Sequence, residues 1–199
     1  MASMFAQVLL LLSFTVCVYS ESAKSQEEEG IRYESLAIKK SVFGEFSMLA
    51  QERDDYATTL TRLALDKARE DPSDEVAMKD VKRLLALALH LSPRNRAAVV
   101  ANHQMGRGVM PAQQKADYSS TVFARLLLTR GKLLKKQKAE SDNMVGLCFI
   151  ALAAELDPRN EEAVYASEIQ KIDGEEAKWS LLLGEKKGEE EVNALSGGE

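Results

Sequence analysis

The most constraining feature of this sequence is a segment that occurs twice. LALALHLSPRNRAAVVA at 85–101 and IALAAELDPRNEEAVYA at 150–166 are identical at ten aligned positions. In both copies an alanine-rich apolar segment runs into Pro-Arg-Asn, and a second segment with helical spacing follows at once. Proline cannot continue a helix, and asparagine is a preferred N-cap. Each copy therefore predicts the end of one helix and the start of the next.

The rest of the chain between the two polar ends also predicts helices. Helix-forming residues outnumber β-branched and aromatic ones, and apolar residues recur at helical spacing in every extended segment. The predicted helices are 36–70 with a break near Glu52–Asp55, 73–91, 95–105, 113–138, 144–156, 160–173 and 176–183. Short turns between consecutive helices predict antiparallel helical hairpins. The fold class is therefore all-α.

The two copies resemble the tetratricopeptide repeat, a helix pair of about 34 residues closed by a proline. In that family the second helix of each repeat carries a small residue, a large apolar or aromatic residue, an alanine and a proline, which follow one another after four, three and five residues. These positions are occupied by Val81, Leu85, Ala88 and Pro93 in the first copy and by Gly146, Ile150, Ala153 and Pro158 in the second. The first helix of each repeat in that family carries a Leu-Gly signature, and Gly131 is part of a weak version of it in the segment before Gly146. The distance between the copies is close to two such units, which predicts one divergent unit between them.

The resemblance covers residues 56–183 and implies a domain over 36–183. It implies that antiparallel hairpins stack as a short right-handed solenoid, with the nine residues just named at helix-packing positions. It also implies a groove that binds a peptide or protein partner. A plain helical bundle with a duplicated hairpin is the alternative architecture.

Residues 1–20 differ from the rest of the chain because they contain no charged side chain. Their apolar run, Val8 to Tyr19, has the length of a signal-peptide core and is short for a membrane span. We therefore predict a signal peptide over 1–20 and an exported protein, periplasmic or secreted. Because no Lys or Arg precedes the run, an uncleaved membrane anchor is the alternative. Residues 21–35 and 184–199 are acidic without apolar periodicity, which predicts a flexible linker and a disordered tail.

No catalytic, cofactor-binding or metal-binding pattern is present in the sequence. His90 and His103 have no cysteine or carboxylate at a metal-ligand spacing. Since Glu155 takes the place of His90 in the second copy, we predict His90 on a solvated helix face. Cys148 lies in an apolar run and is predicted to be a small buried residue. The sequence thus predicts no enzymatic activity, no cofactor and no metal.

One segment, FARLLLTRGKLLKKQK at 123–138, contains six basic residues and no acidic one. A helical projection places Arg125, Lys132, Lys135 and Lys136 opposite the apolar side, whereas Arg130 falls on it. Such a basic face is either the solvated side of a core helix or a docking surface for an acidic partner or an anionic membrane. Nucleic acid is excluded by the net charge of −5 and by the lack of interleaved aromatic residues.

These observations predict an exported, tetratricopeptide-like interaction scaffold that binds a peptide or protein in the groove of its repeats. The alternative is a membrane-surface protein, anchored by an uncleaved amino terminus and docked through the basic face at 125–138.

Overall fold

The structure is a computed structural model that describes residues 31–45, 47–112, 119–137 and 139–185. Within these ranges the chain forms helices and no strand, which confirms the all-α prediction. The helices are α1 Ala50–Glu70, α2 Glu75–Leu91, α3 Arg96–Met105, α4 Ser120–Lys135, α5 Glu140–Leu156, α6 Glu161–Ile172 and α7 Trp179–Leu183. None of these helices combines the length and the apolar character that a membrane crossing requires.

Several predicted segments lie outside the described residues. They are the signal peptide over 1–20, positions 21–30 of the linker, positions 113–118 and 138 of the predicted fourth helix, and the tail from residue 186. The packed part of the chain includes Tyr33, which is 8% exposed and lies within the segment 21–35 predicted as a linker.

The helices repeat with the same offset as the sequence. Helices α2 and α5 have equal length. When the two copies are aligned in sequence, the first and last residues of these helices also align. The same offset aligns the starts of α3 and α6 and the ends of α1 and α4. The first six described helices therefore form an amino-terminal half, α1–α3, and a carboxyl-terminal half, α4–α6. Each half is a hairpin of two long helices followed by a shorter helix, and positions related by this offset are called equivalent below.

The repeated sequence forms the same joint in both halves. The Asn95 side chain accepts a hydrogen bond from the Ala98 N–H at 3.0 Å, and Asn160 accepts one from the Ala163 N–H at 3.2 Å. Each asparagine satisfies one of the free N–H groups at the start of the third helix of its half. The two copies thus encode one helix–turn–helix joint, as predicted.

The prediction of a divergent helix pair between the copies is wrong. Helix α3 packs against α1 and α2, whereas α4 packs against α5. The repeating unit in the described part of the chain is therefore three helices. The segment between α3 and α4 contains Gly106, Gly108 and Pro111, which disfavour continued helix.

The predicted start of the first helix is also wrong. Helix α1 begins at Ala50 and continues through Glu52–Asp55, where we expected a break. The described residues before it, 31–45 and 47–49, contain no helix and lie across the other helices. We call this segment the strap. Its apolar residues Tyr33, Leu36, Phe43 and Met48 are buried in the core although the segment is not helical. Tertiary burial therefore overrides the helix that their spacing predicts.

The two halves meet through aromatic side chains. The ring of Tyr56 in α1 stacks on Phe149 in α5 with centroids 5.0 Å apart, and Phe123 in α4 lies 5.7 Å from Tyr56. At the edge of this cluster the Arg130 guanidinium of α4 forms an ion pair with Glu52 of α1 at 2.7 Å. This pair explains why a basic residue occupies the apolar side of α4.

The predicted packing residues lie at two kinds of position. Val81, Leu85, Ala88, Gly131, Gly146, Ile150 and Ala153 are buried, whereas Pro93 and Pro158 are exposed in the turns. Helices α4 and α5 cross at the two glycines. A Cβ on Gly131 would lie 2.9 Å from the carbonyl oxygen of Gly146 and 2.8 Å from Cγ1 of Ile150. The main chains of the two helices therefore touch at this point.

Candidate functional site

In the amino-terminal half, the strap is bound through its main chain by Asn102 of α3. The Asn102 side chain donates to the carbonyl oxygen of Leu36 at 3.0 Å and accepts from the N–H of Leu36 at 2.8 Å. The Tyr33 hydroxyl donates to the same Asn102 oxygen at 2.8 Å. A side-chain amide offers both a donor and an acceptor, so it can pair with both main-chain groups of one residue. This half thus binds a non-helical chain segment through main-chain hydrogen bonds as well as through the buried side chain of Leu36.

Close contacts on both sides of Leu36 keep the strap on α2 and α3. Gly106 leaves space for Ser35, because a Cβ at position 106 would lie 2.7 Å from Cβ of Ser35. Lys82 of α2 forms an ion pair with Glu34 at 3.0 Å. Further along, the Ser41 hydroxyl donates to the carbonyl oxygen of His90 at 2.6 Å.

The strap ends on the first turn of α5. The carboxylate of Asp142, which is 1% exposed, accepts hydrogen bonds at 2.7 Å from both the N–H and the hydroxyl of Ser47. The neighbouring Ser141 hydroxyl donates to the carbonyl oxygen of Glu45 at 2.6 Å. The strap therefore connects the two halves.

The prediction that His90 lies on a solvated face is wrong, because its side chain is 3% exposed. Its Nδ1 accepts from the Val42 N–H at 3.3 Å, and its Nε2 lies 2.9 Å from the carbonyl oxygen of Leu182 in α7. One acceptor and one donor match the neutral imidazole. Burial lowers the pKa of His90, opposed by the hydrogen bond to Leu182. The strap and α7 bury this position in the amino-terminal half.

We expect the free energy of unfolding to fall as the pH decreases below about 6.5, the ordinary pKa of histidine. Because the folded-state pKa is lowered, the unfolded chain binds more protons in this range, and His90 contributes fully only above it. The slope from this one group is at most about 1.4 kcal/mol per pH unit. Urea denaturation at pH 5, 6 and 7.5 measures it, with His90→Gln as the control that cannot titrate. Equal pH dependence of the two proteins would contradict the prediction.

The carboxyl-terminal half presents an equivalent surface, and none of the described residues covers it as the strap covers the amino-terminal half. Three positions of the amino-terminal half that contact the strap are Asn102, Gly106 and His90. Their equivalents are, in the same order, Ser167, Lys171 and Glu155. All three equivalents line a groove of about 430 Å³ between α5, α6 and residues 176–179, with Arg83 of α2 on the far side.

The floor of this groove is polar and buried. Gln170 is 3% exposed, and its Nε2 has no hydrogen-bond partner among the described residues. Ser167, one turn earlier on α6, is 7% exposed. A buried amide N–H without a hydrogen-bond partner lowers the stability of a protein by about 1–3 kcal/mol. A ligand that supplies an acceptor would remove this penalty on binding.

The wall opposite α6 combines an aromatic ring with a charged pair. The Arg83 guanidinium lies over the ring of Trp179, 5.0 Å from its centroid, and pairs with Glu155 at 2.7 Å. At the rim, Lys171 pairs with Glu168 at 2.7 Å, and this hydrogen bond raises the pKa of Lys171. The rim therefore carries charges of both signs, while small apolar side chains lie between them. These are Ala151, Ala154, Val164 and Ala177.

Two of the four cations of the predicted basic docking face, Lys132 and Lys135, form ion pairs within the chain. Lys132 contacts Glu162 at 2.5 Å, and Lys135 contacts Glu175 at 2.8 Å. Arg125 and Lys136 are exposed, and no ion pair joins either to another described residue. Glu162, which belongs to the second copy, and Glu175, which follows it, thus neutralise two of the four cations of this face.

Cys148 and His103 are the remaining residues singled out in the sequence. Cys148 is fully buried, as predicted, and burial raises the pKa of its thiol to about 12. His103 is exposed on α3. No group of His, Cys, Asp and Glu residues in the described ranges is arranged to bind a metal ion.

Sequence reasoning missed the groove, although the two halves contain one signal for it. Met105 is buried in the amino-terminal half, and its equivalent is Gln170. An amide at a position that is apolar in the other half indicates a local need for hydrogen bonding. Arg83 and Trp179 belong to other segments, so the spacing within the copies could not reveal them.

Comparison with protein-family models, with curated proteins and with solved structures gave no match to this chain.

Proposed function

We propose that this protein is a non-catalytic interaction scaffold that binds an extended segment of a partner protein in the groove between α5, α6 and residues 176–179. The observation that carries the proposal is the strap. The amino-terminal half binds its own chain through Asn102, and the equivalent surface of the carboxyl-terminal half is an open groove. Because the two halves share the arrangement of their helices and joints, we expect the equivalent surface of the carboxyl-terminal half to bind a chain segment as well.

We further propose that the two halves are divergent tetratricopeptide-like repeats stacked as a short right-handed solenoid. The repeated joint at Asn95 and Asn160 and the close crossing at Gly131 and Gly146 support this proposal. Each half adds a third helix to its hairpin, as the first helix of a following repeat would. Export remains part of the proposal on the basis of residues 1–20, and sequencing the amino terminus of the mature protein tests it.

The proposed function is tested by placing a photo-crosslinking amino acid at Ala154 in the groove or, as a control, at Tyr165. The two sites lie on neighbouring helices, but Tyr165 does not line the groove and is 69% exposed. We expect a defined cross-linked partner from the Ala154 site alone. We also expect its loss when Ala151→Trp fills the groove. Equal cross-linking from both sites, or none, would contradict the proposal.

A further inference from the structure

We propose that the ligand of this groove is an extended peptide segment that carries a lysine or arginine side chain. In this complex the Gln170 amide donates to a main-chain carbonyl oxygen of the peptide. The inference rests on the proposed function and specifies the chemistry of the partner. It follows from comparing the groove, position by position, with the surface that binds the strap.

The first step concerns the amide group. In the amino-terminal half, the main chain of Leu36 is bound by Asn102, whose equivalent in the groove is Ser167. The amide of the carboxyl-terminal half is instead at Gln170, three positions later and therefore on the same side of the helix. Its Nε2 is buried at the groove without a partner in the described structure. A donor in this position matches a carbonyl oxygen of an extended main chain.

The second step concerns charge. His90 and His103 of the amino-terminal half correspond to Glu155 and Glu168 of the groove, and Glu176 adds a third carboxylate to its rim. The two lining cations, Arg83 and Lys171, are already paired with Glu155 and Glu168. The groove therefore has one more acidic than basic side chain, and Glu176 forms no ion pair with another described residue.

The strap binds its surface with the opposite pattern of charge, because its acidic residue pairs with a basic residue beneath it. This comparison supports a basic ligand for the groove. Glu34 of the strap pairs with Lys82 of α2. The equivalent of Lys82 is Leu147, so the carboxyl-terminal half lacks this cation. An acidic side chain of a ligand would therefore find no lysine at this position, whereas a basic side chain could pair with carboxylates at the rim.

The third step concerns space. Ala151 and Ala154 on α5 and Ala177 on the opposite wall have short side chains, so a peptide main chain can enter between them. A volume of about 430 Å³ lies within the usual range of ligand sites, roughly 300–1,000 Å³. The ring of Trp179 and the side chain of Val164 provide apolar contact. The groove thus suits a few residues of extended chain rather than a whole helix.

The inference is tested by selecting binders to the full-length protein from a phage-displayed library of random heptapeptides. Groove-directed peptides are those that lose binding to Ala151→Trp. We expect lysine or arginine to be enriched among them at one or more positions. A fluorescein-labelled copy of the most enriched peptide then serves as the probe in anisotropy titrations.

Three variants separate the contributions to binding of this probe. Gln170→Met installs the residue that the amino-terminal half tolerates at the equivalent buried position, and we expect it to weaken binding about 2- to 10-fold. The double variant Glu168→Lys, Glu176→Lys should weaken binding and select acidic peptides instead. Glu161→Lys, which reverses a charge on α6 outside the groove lining, should leave binding unchanged at moderate salt.

The outcomes distinguish this inference from the proposed function. Groove-directed peptides without basic residues, or with affinities unchanged by Gln170→Met and by the double charge reversal, would overturn the ligand chemistry and leave the scaffold function standing. Failure to recover any peptide sensitive to Ala151→Trp would overturn both.

Discussion

Replacing Asn95 with alanine is expected to lower the free energy of unfolding by about 2–4 kcal/mol, the sum of a lost helix cap and of buried polar groups left unpaired. Asn95 is 3% exposed and caps α3 through the Ala98 N–H. Its Nδ2 also lies 3.0 Å from Oδ1 of Asp54 and 2.8 Å from the Thr58 hydroxyl, both on α1. The substitution therefore removes a cap and the link between α1 and the joint at once.

The second copy supplies a matched control for this change. Asn160 makes the same cap, to the Ala163 N–H at 3.2 Å, and no other hydrogen bond from its side chain to a described residue is found. Asn160→Ala should cost about 0.5–2 kcal/mol, the value of a cap alone. Urea denaturation of the two variants measures the difference. Equal losses would show that the contacts of Asn95 with α1 add nothing to stability.

This pair of residues shows how far the sequence determines the fold. The sequence predicts both asparagines as caps, because an Asn after Pro-Arg satisfies N–H groups of the residues that directly follow it. The contact between Asn95 and Asp54 could not be predicted, since it depends on how α1 packs against the joint. Local hydrogen bonding follows from the order of residues along the chain, whereas tertiary partners follow from packing.

The same distinction explains the errors at the strap and at His90. Apolar residues spaced as in a helix predict one, although Leu36 and Phe43 are buried in a segment that is not helical. The prediction for His90 rests on its equivalent, Glu155, which is exposed because no described residue covers it as the strap covers His90. A repeat predicts equal backbones in its copies. It does not predict equal environments when one copy is covered by a segment outside the repeat.

The candidate groove exists because the strap covers only one of the two halves among the described residues. In the amino-terminal half the strap occupies the surface of α2 and α3, and the residues beneath it have become buried. In the carboxyl-terminal half residues 176–179 border the equivalent surface, and Gln170 lies beside the groove that they enclose with α5 and α6. The sequence predicts a scaffold with a variable surface. Only the tertiary structure identifies which part of that surface is available to a ligand.

Replacing Gly131 with valine is expected to lower the free energy of unfolding by about 3 kcal/mol, the upper end of the usual cost of overpacking. On helix propensity alone, loss of a glycine from the middle of α4 would favour folding by a few tenths of a kcal/mol. That gain is outweighed because the new Cβ meets the main-chain oxygen of Gly146, which cannot change rotamer to avoid it.

Thr129→Val is the matched control for this substitution, because it places valine two positions away on the exposed side of α4 and should change stability by less than about 0.5 kcal/mol. Gly146→Val should be as costly as Gly131→Val, since a Cβ there would lie 2.8 Å from the Gly131 oxygen. The two glycines form one contact, so the double variant should lose less than the sum of the single losses. Thermal and urea denaturation test all four proteins. A Gly131→Val protein more stable than the parent would mean that α4 and α5 do not cross at their glycines, and the tetratricopeptide-like packing proposed for this half would fail with it.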